Sequence, residues 1–268
     1  MIKREFQKSL ICLLVFMSFL NNIKAQNSVD SVTVQEAVSD SISNIQPTKL
    51  NYKSLIIPAA FISYGVIGLS SSKLKQLNFS TRTEINEHQP AQMNLDNFTQ
   101  YAPAVMVYGL NAIGIKGKHN LRDRTIIYAS SQLISAAFTM PLKYLVKEER
   151  PDQSNTLSFP SGHSATAFSS AQFMFREYKD TNFWLSLSGY PFAIFTGVYR
   201  MLNDKHWLGD VVAGAGFGIL STELAYWLFP KIDLMLRGKN KTKNLLSSTM
   251  MMPFYQNKTL GIGLIKNF

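Results

Sequence analysis

Four stretches of 18 or 19 residues carry no charged side chain: Ser54 to Ser72, Asn97 to Ile115, Thr125 to Leu142 and Thr181 to Tyr199. Strands average about five or six residues, so runs of this length predict helices, and about 20 mostly apolar residues are what a helix needs to cross a bilayer. Composition adds two more helices, from about Gly162 to Tyr178 and from about Leu208 to Phe229. The second is dense in small residues (Ala213, Gly214, Ala215, Gly216, Gly218), which let helices approach closely. No internal repeat, heptad or long alternating pattern competes. The expected fold class is therefore all-α, a bundle of about six helices, membrane-embedded or membrane-associated. Several of these helices carry Ser, Thr, Asn, Gln, Gly and Pro where a lipid-facing helix would carry Leu, so spanning the bilayer and resting against it both stand as readings.

Charge narrows the class. Only 16% of residues are charged against 46% hydrophobic, below the roughly 25% charged of a typical soluble domain, which excludes a disordered, collagen-like or charged nucleic-acid-binding tail protein. The balance of 27 basic to 17 acidic residues gives a net charge of +10, suited to anionic partners. The single cysteine, Cys12, sits in an N-terminal apolar run, so neither a disulfide framework nor a cysteine metal site is expected.

The ends of the chain address it. Lys3, Arg4 and Lys8 precede an apolar run from Leu10 to Leu20 and a polar stretch ending at Ala25, so residues 1–25 read as a secretory signal peptide cut after Ala25, with an uncleaved anchor the alternative. Residues 26–53 read as a flexible linker, 54–230 as the helical domain and 231–268 as a basic tail in which seven basic residues face Asp233 alone. That tail is a solvated segment or a juxtamembrane one touching anionic headgroups, and its end, from Lys258 to Phe268, has the makings of a short strand. Topology signals conflict. If export puts Gln26 outside and six helices cross, the segment from Lys147 to Pro160 is cytoplasmic. The positive-inside rule instead puts Lys116, Lys118, Arg122 and Arg124, with the basic tail, in the cytoplasm.

The chemistry lies between Lys143 and Asp210. Lys143 and Arg150-Pro151 are separated by six residues; Pro160-Ser161-Gly162-His163 follows; then Arg200, His206 and Asp210, the last two one helical turn apart. Each piece alone reads as a solvated helix end, a turn or a surface pair. Together, three fixed cations converging on one point would neutralise a tetrahedral oxyanion such as phosphate. Ser161 is placed to cap a helix whose free N–H groups face the same spot, and Gly162 allows close backbone approach. Two histidines suit attack on phosphorus and protonation of the leaving oxygen, with a carboxylate to hold the attacker's tautomer. His206 has that carboxylate in Asp210 and His163 has none nearby in sequence.

In order and spacing these residues resemble the type 2 phosphatidic acid phosphatase (PAP2) superfamily, which it shares with acid phosphatases and vanadium haloperoxidases: Lys143 to Pro151, Pro160 to His163, and Arg200 to Asp210, over about residues 97–230. The resemblance implies that His206 is a nucleophile forming a phosphohistidine, that Asp210 orients it, and that His163 is the acid for the leaving alcohol and then the base for water. Lys143, Arg150, Ser161, Gly162 and Arg200 would bind the phosphoryl oxygens, with no metal and no other cofactor. One position departs: the serine that usually precedes the arginine is Tyr199. His88 and His119 match no motif and are expected to face solvent; Trp207 is expected to pack rather than touch substrate. The implied activity is phosphatase action on a phosphomonoester or diphosphate of an envelope lipid, with lipid A favoured, at an inner membrane with its site facing the periplasm, or in the periplasm. Its partners would be the lipid phosphate and the membrane, with no nucleic acid. The alternatives are a soluble periplasmic acid phosphatase of broad specificity and a vanadium haloperoxidase.

Overall fold

The computed structural model describes residues 52–87, 94–237, 249–256 and 259–266. The leader, most of the linker, His88 and residues 238–248 of the tail lie outside the described residues. After a short 3-10 turn at Tyr52–Leu55 come α1 (Ile56–Gly68), α2 (Ser72–Glu87), α3 (Asp96–Thr99), α4 (Ala102–Ala112), α5 (Leu121–Val146), α6 (Gly162–Tyr178), α7 (Phe183–Leu187), α8 (Tyr190–Leu202) and α9 (Leu208–Arg237). A terminal hairpin pairs β1 (Thr249–Gln256) antiparallel with β2 (Thr259–Lys266), Thr249 opposite Lys266, which adds two strands to an otherwise helical fold.

Six passes alternate in direction: α1, α3 with α4, α5, α6, α8 and α9. At one end, Arg122 Nη1 at the start of α5 is 2.6 Å from Asp233 near the end of α9. At the other, the last turn of α5 and the first turn of α9 meet, Lys143 lying in the field of Asp210. Local chemistry sets the boundaries. Asn120 accepts from the Asp123 N–H at 2.9 Å to start α5, and Lys147, left-handed at φ 53°, ends it. Ser161 caps α6. The charge-free stretch 181–199 is two helices rather than one, because Pro191, which has no N–H to continue a helix, begins α8 instead. The small-residue face of α9 does what its composition suggests. A Cβ on Gly214 would lie 2.4 Å from the Ser161 carbonyl oxygen and one on Gly218 2.2 Å from that of Ala165, so α6 and α9 touch backbone to backbone.

The polar residues of the helices point inward. On α5, Ser131, Ser135 and Thr139, spaced four apart, are buried, while Leu133, Met140 and Tyr144 are more than half exposed. Ser131, Ser169 and Thr222 join α5, α6 and α9 through hydroxyl contacts. Ile56, Ile67, Val105 and Ile194 on other passes are likewise exposed. Among the described residues one helix, Leu208–Leu236, is long and apolar enough to cross a bilayer by length and composition; α1 and α2, bent by 94° at their junction, pass the same test as a pair. α2 is the one long helix, among the described residues, that neither a charge-free stretch nor composition announces. It packs against the loop that leads into α9, with Asn78 accepting from the Gly209 N–H at 3.2 Å and Arg82 gripping Asp204 through two bonds of 2.7 and 2.6 Å.

Candidate active site

Two connectors, 147–161 and 203–207, meet where α5 and α8 end and α6 and α9 begin. Phe159 anchors the first by burying its ring against Ala213 and Phe217 of α9, a contribution of about 1.5–3 kcal/mol for a side chain of that size. Lys205 Nζ joins Asp152 at 2.5 Å, the Asp152 N–H donates to the Asp204 carbonyl at 3.1 Å, and Trp207 Nε1 donates to the Glu149 carbonyl at 2.8 Å. Lys205 and Trp207 thus stitch the connectors together; Trp207 also meets Phe79 of α2 edge to face at 5.0 Å. The Ser161 N–H donates to the Asp210 carbonyl at 3.0 Å, which locks the starts of α6 and α9 together.

All eight residues named from the sequence stand at this end of the bundle. Lys143 donates Nζ to the Leu157 carbonyl at 2.8 Å and lies across Gly162, with Cε 4.0 Å from where a Cβ would be. Arg150 is held by burial and the neighbouring Arg200 below its ordinary pKa. Arg200 donates Nη1 to Asp96 at 2.5 Å. The Nε of Arg150 and that of Arg200 are buried and make no hydrogen bond among the described residues. Unpaired buried donors are costly, so a site that holds two is shaped for an anion. Ser161 Oγ, fully buried, accepts from the Ser164 hydroxyl at 2.9 Å and more loosely from its N–H.

His206 is 3% exposed and Asp210 1%. Their Nδ1 and Oδ2 atoms are 3.5 Å apart, the outer limit of contact. A serine completes the pair: Ser158 Oγ donates to Asp210 Oδ2 at 2.5 Å and sits 3.5 Å from His206 Nδ1, while the Trp207 N–H donates to the same carboxylate oxygen at 2.9 Å. Burial, opposed by Asp210, pushes His206 down to about 4 and so leaves it neutral at pH 7. His163 is also pushed to about 4, first by burial and then by Arg200. A bound dianion among these cations would reverse the electrostatic part of that shift. Glu148, lying against Asp210, is pushed up to about 9 by burial and by that carboxylate.

Ser158, Glu148, Asp96 and Asn97 are site residues that sequence reasoning missed. Asp96, fully buried, fixes Arg200, and Asn97 Oδ1 accepts from His163 Nε2–H at 2.8 Å, which leaves Nδ1 as the nitrogen free to exchange a proton. One short helix, α3, therefore holds a cation and a histidine of the site together. Its only sequence signal is an Asp-Asn pair at the head of a charge-free stretch. His119, expected to face solvent, is instead half-buried at the opposite end of the bundle, its Nδ1 2.7 Å from Glu177 Oε1. Tyr199 is buried against Phe195.

One end of the helical bundle thus gathers fixed cations, two histidines and a carboxylate, an arrangement suited to an anion. The PAP2 superfamily model matches residues 124–233. The chain is 28% identical over 244 residues to the lipid A 1-phosphatase of Porphyromonas gingivalis, an alignment covering 86% of this chain and 52% of that protein, so it spans about half the length of that relative. Among solved structures it is similar to Aquifex aeolicus LpxE (19% identity, TM-score 0.44, 56% of this chain and 94% of that one). It is also similar to a transmembrane PAP2 type phosphatidylglycerolphosphate phosphatase from Bacillus subtilis (18% identity, TM-score 0.47, 66% and 97%).

Proposed function

We propose that this protein is an envelope phosphatase that hydrolyses a phosphomonoester or diphosphate of a lipid through a phosphohistidine, with the 1-phosphate of lipid A its foremost substrate. The observation that carries the reading is the pair of buried, unpaired guanidinium donors, Arg150 Nε and Arg200 Nε, in the field of His163. Phosphoryl oxygens bound there satisfy both donors and neutralise the cations. His206, neutral and with Nδ1 turned to Asp210 and Ser158, presents Nε2 to phosphorus. A nitrogen–phosphorus bond forms as the phosphorus–oxygen bond to the lipid breaks, and the departing oxygen takes a proton from Nδ1 of His163, whose ring takes up that proton from solvent once the phosphoryl dianion offsets the surrounding cations. Water then attacks the phosphohistidine, His163 takes its proton, and phosphate leaves with His206 restored. The fixed cations supply the charge neutralisation for which other phosphatases recruit a metal. The named activity of the Porphyromonas gingivalis relative supports lipid A as substrate.

The outward Leu, Ile and Met side chains on buried-polar helices support a membrane location. The basic connector at Lys116–Arg124 and the basic end of α9 lie together, away from the site. The positive-inside rule then turns the site toward the periplasm.

Purified protein with lipid A is expected to release inorganic phosphate in the presence of a chelator and to be inhibited by vanadate, while His206→Ala loses about four orders of magnitude in kcat. Full turnover by His206→Ala overturns the mechanism. Halide oxidation by the vanadate-loaded protein, in place of phosphate release, overturns the phosphatase reading itself.

A further inference from the structure

A second cation-lined cavity, of about 520 Å³, opens at the other end of the bundle, among Tyr108, Asn111, Lys116, Lys118, His119 and Arg124. Arg124 and Lys143 are 19 residues apart on α5, so about 29 Å separates this cavity from the phosphoryl site. It belongs to no motif and no step of the proposed reaction. We infer that this cavity binds the head group of an anionic phospholipid.

Its walls are built rather than incidental. The connector between α4 and α5 is pinned from below by Glu177, which is 1% exposed and accepts from the His119 N–H at 3.1 Å, from the Tyr226 hydroxyl at 2.7 Å and from the His119 ring. A Cβ on Gly117 would lie 2.8 Å from Glu177 Oε2, so the loop lies flat on that carboxylate. The one buried acid nearby is thereby saturated from within. Arg124 is 5% exposed, and its Nε and Nη2 both donate to the His119 carbonyl, at 3.2 and 2.5 Å. Its Nη1 makes no hydrogen bond, and neither Arg124 nor Lys116 forms an ion pair, among the described residues. Lys118 has only a loose exposed partner in Asp180, at 3.7 Å.

The surroundings select the source of the anion. Leu121, which lines the cavity, and Ile113, next in sequence to the lining Ala112, are 66% and 73% exposed. Cations beside outward apolar side chains fit an amphiphile, a phosphate group with acyl chains, better than a free ion. Basic pockets between helices at the cytoplasmic face are where such head groups bind, and the volume matches a small-molecule site. The inference rests on the membrane reading above and not on the chemistry at His206.

Native mass spectrometry of the full-length protein in detergent tests it, with phosphatidylglycerol, phosphatidylcholine and inorganic phosphate as probes. Wild type and His206→Ala are both expected to retain phosphatidylglycerol at least tenfold over phosphatidylcholine. The double variant Lys116→Gln/Lys118→Gln, two exposed positions, should lose that preference while keeping its unfolding temperature and its rate of phosphate release. Equal retention of the two lipids, or a preference that survives the double variant, overturns the proposal. Displacement of the lipid by equimolar inorganic phosphate overturns the lipid as occupant, and loss of the preference in His206→Ala reassigns the binding to the phosphoryl site. Phosphate release by the wild type is scored separately, so a failed phosphatase reading and a failed lipid site leave different records.

Discussion

Both ends of the bundle bury charge, and they do it differently. At the end remote from the site, Glu177 is matched by His119 and Tyr226, and Glu223 by Gln172 at 2.6 Å and Arg176 at 2.7 Å. Arg176 also covers the Tyr226 ring at 4.6 Å, and Tyr190 bonds to Gln172. At the site end, Glu148 Oε2, Arg150 Nε and Arg200 Nε are buried without a hydrogen-bond partner, and these are the three such side-chain atoms among the described residues. Buried polar groups are nearly always satisfied. What marks the site end is therefore buried acceptors and donors left unsatisfied rather than burial of charge, since the Glu177 and Glu223 carboxylates at the far end are matched and hold the helices together.

The sharpest way to break this contrast is to remove a guanidinium whose Nε the site leaves without a partner. Arg200→Ala should lower kcat/KM by about 10²–10³-fold, the usual cost of losing one preorganised oxyanion donor. Asp96→Asn should act in the same direction and more weakly, about tenfold to a hundredfold, because the guanidinium stays but loses the carboxylate that aims it. Steady-state phosphate release measures both. An Asp96→Asn enzyme as fast as wild type would show that Arg200 needs no aiming.

That Asp96 and Asn97 escape a sequence reading has a physical reason. The motifs at Lys143–Pro151, Pro160–His163 and Arg200–Asp210 are legible because each lies on one turn or connector, where reacting groups have fixed spacing. Asp96 reaches Arg200 across 104 positions, and nothing in a sequence shows which distant carboxylate closes on which arginine. α2 was hidden for a different reason: its face toward the site is polar, with Asn78 and Arg82 making the contacts, so a search for charge-free runs passes over it. The bundle itself was legible from those runs, and α6 matches its expected bounds from Gly162 to Tyr178. Their Ser and Thr content, an argument against membrane helices when read linearly, reverses once Ser131 and Ser135 are seen to face the core and Leu133 to face outward.

A smaller effect is expected at Ser158. Its hydroxyl lies between His206 and Asp210, which are themselves only in marginal contact. Ser158→Ala should reduce kcat by about tenfold, within the range for a positioned proton-handling group, with little change in KM, since Asp210 keeps the Trp207 N–H and the phosphate ligands are untouched. A KM effect without a kcat effect would place Ser158 among the substrate-binding groups instead.

The two ends should also separate by pH. A folded-state pKa of about 9 for Glu148, against about 4.3 for an unperturbed glutamate, means that the folded protein holds a proton the unfolded chain releases between those values. Its contribution to stability therefore falls as pH rises through that window. His163 and His206, pushed to about 4, act oppositely: the unfolded chain binds more protons between about 4 and 6.5, so their contribution rises with pH there. Unfolding temperature is expected to be highest near neutral pH and to decline toward pH 9, and Glu148→Gln should flatten the decline. An equally steep decline in Glu148→Gln would remove the carboxyl pair as its cause.

The smallest effect on activity belongs to the far end. Glu223→Gln keeps the shape of the side chain but replaces one of its two acceptor oxygens with an amide NH2, which faces a donor whether it turns to Gln172 or to Arg176, while Arg176 loses its counter-charge. With Glu223 3% exposed, the cost should be about 1–3 kcal/mol of stability, read as a lower unfolding midpoint. The kcat of the folded fraction should not change, because no hydrogen bond of Glu223 reaches the connectors that hold the site. A stability loss with unchanged kcat would establish the far network as scaffold. A kcat that falls with it would mean that the bundle couples its ends through α6, the helix that carries Gln172 and Arg176 and begins at His163.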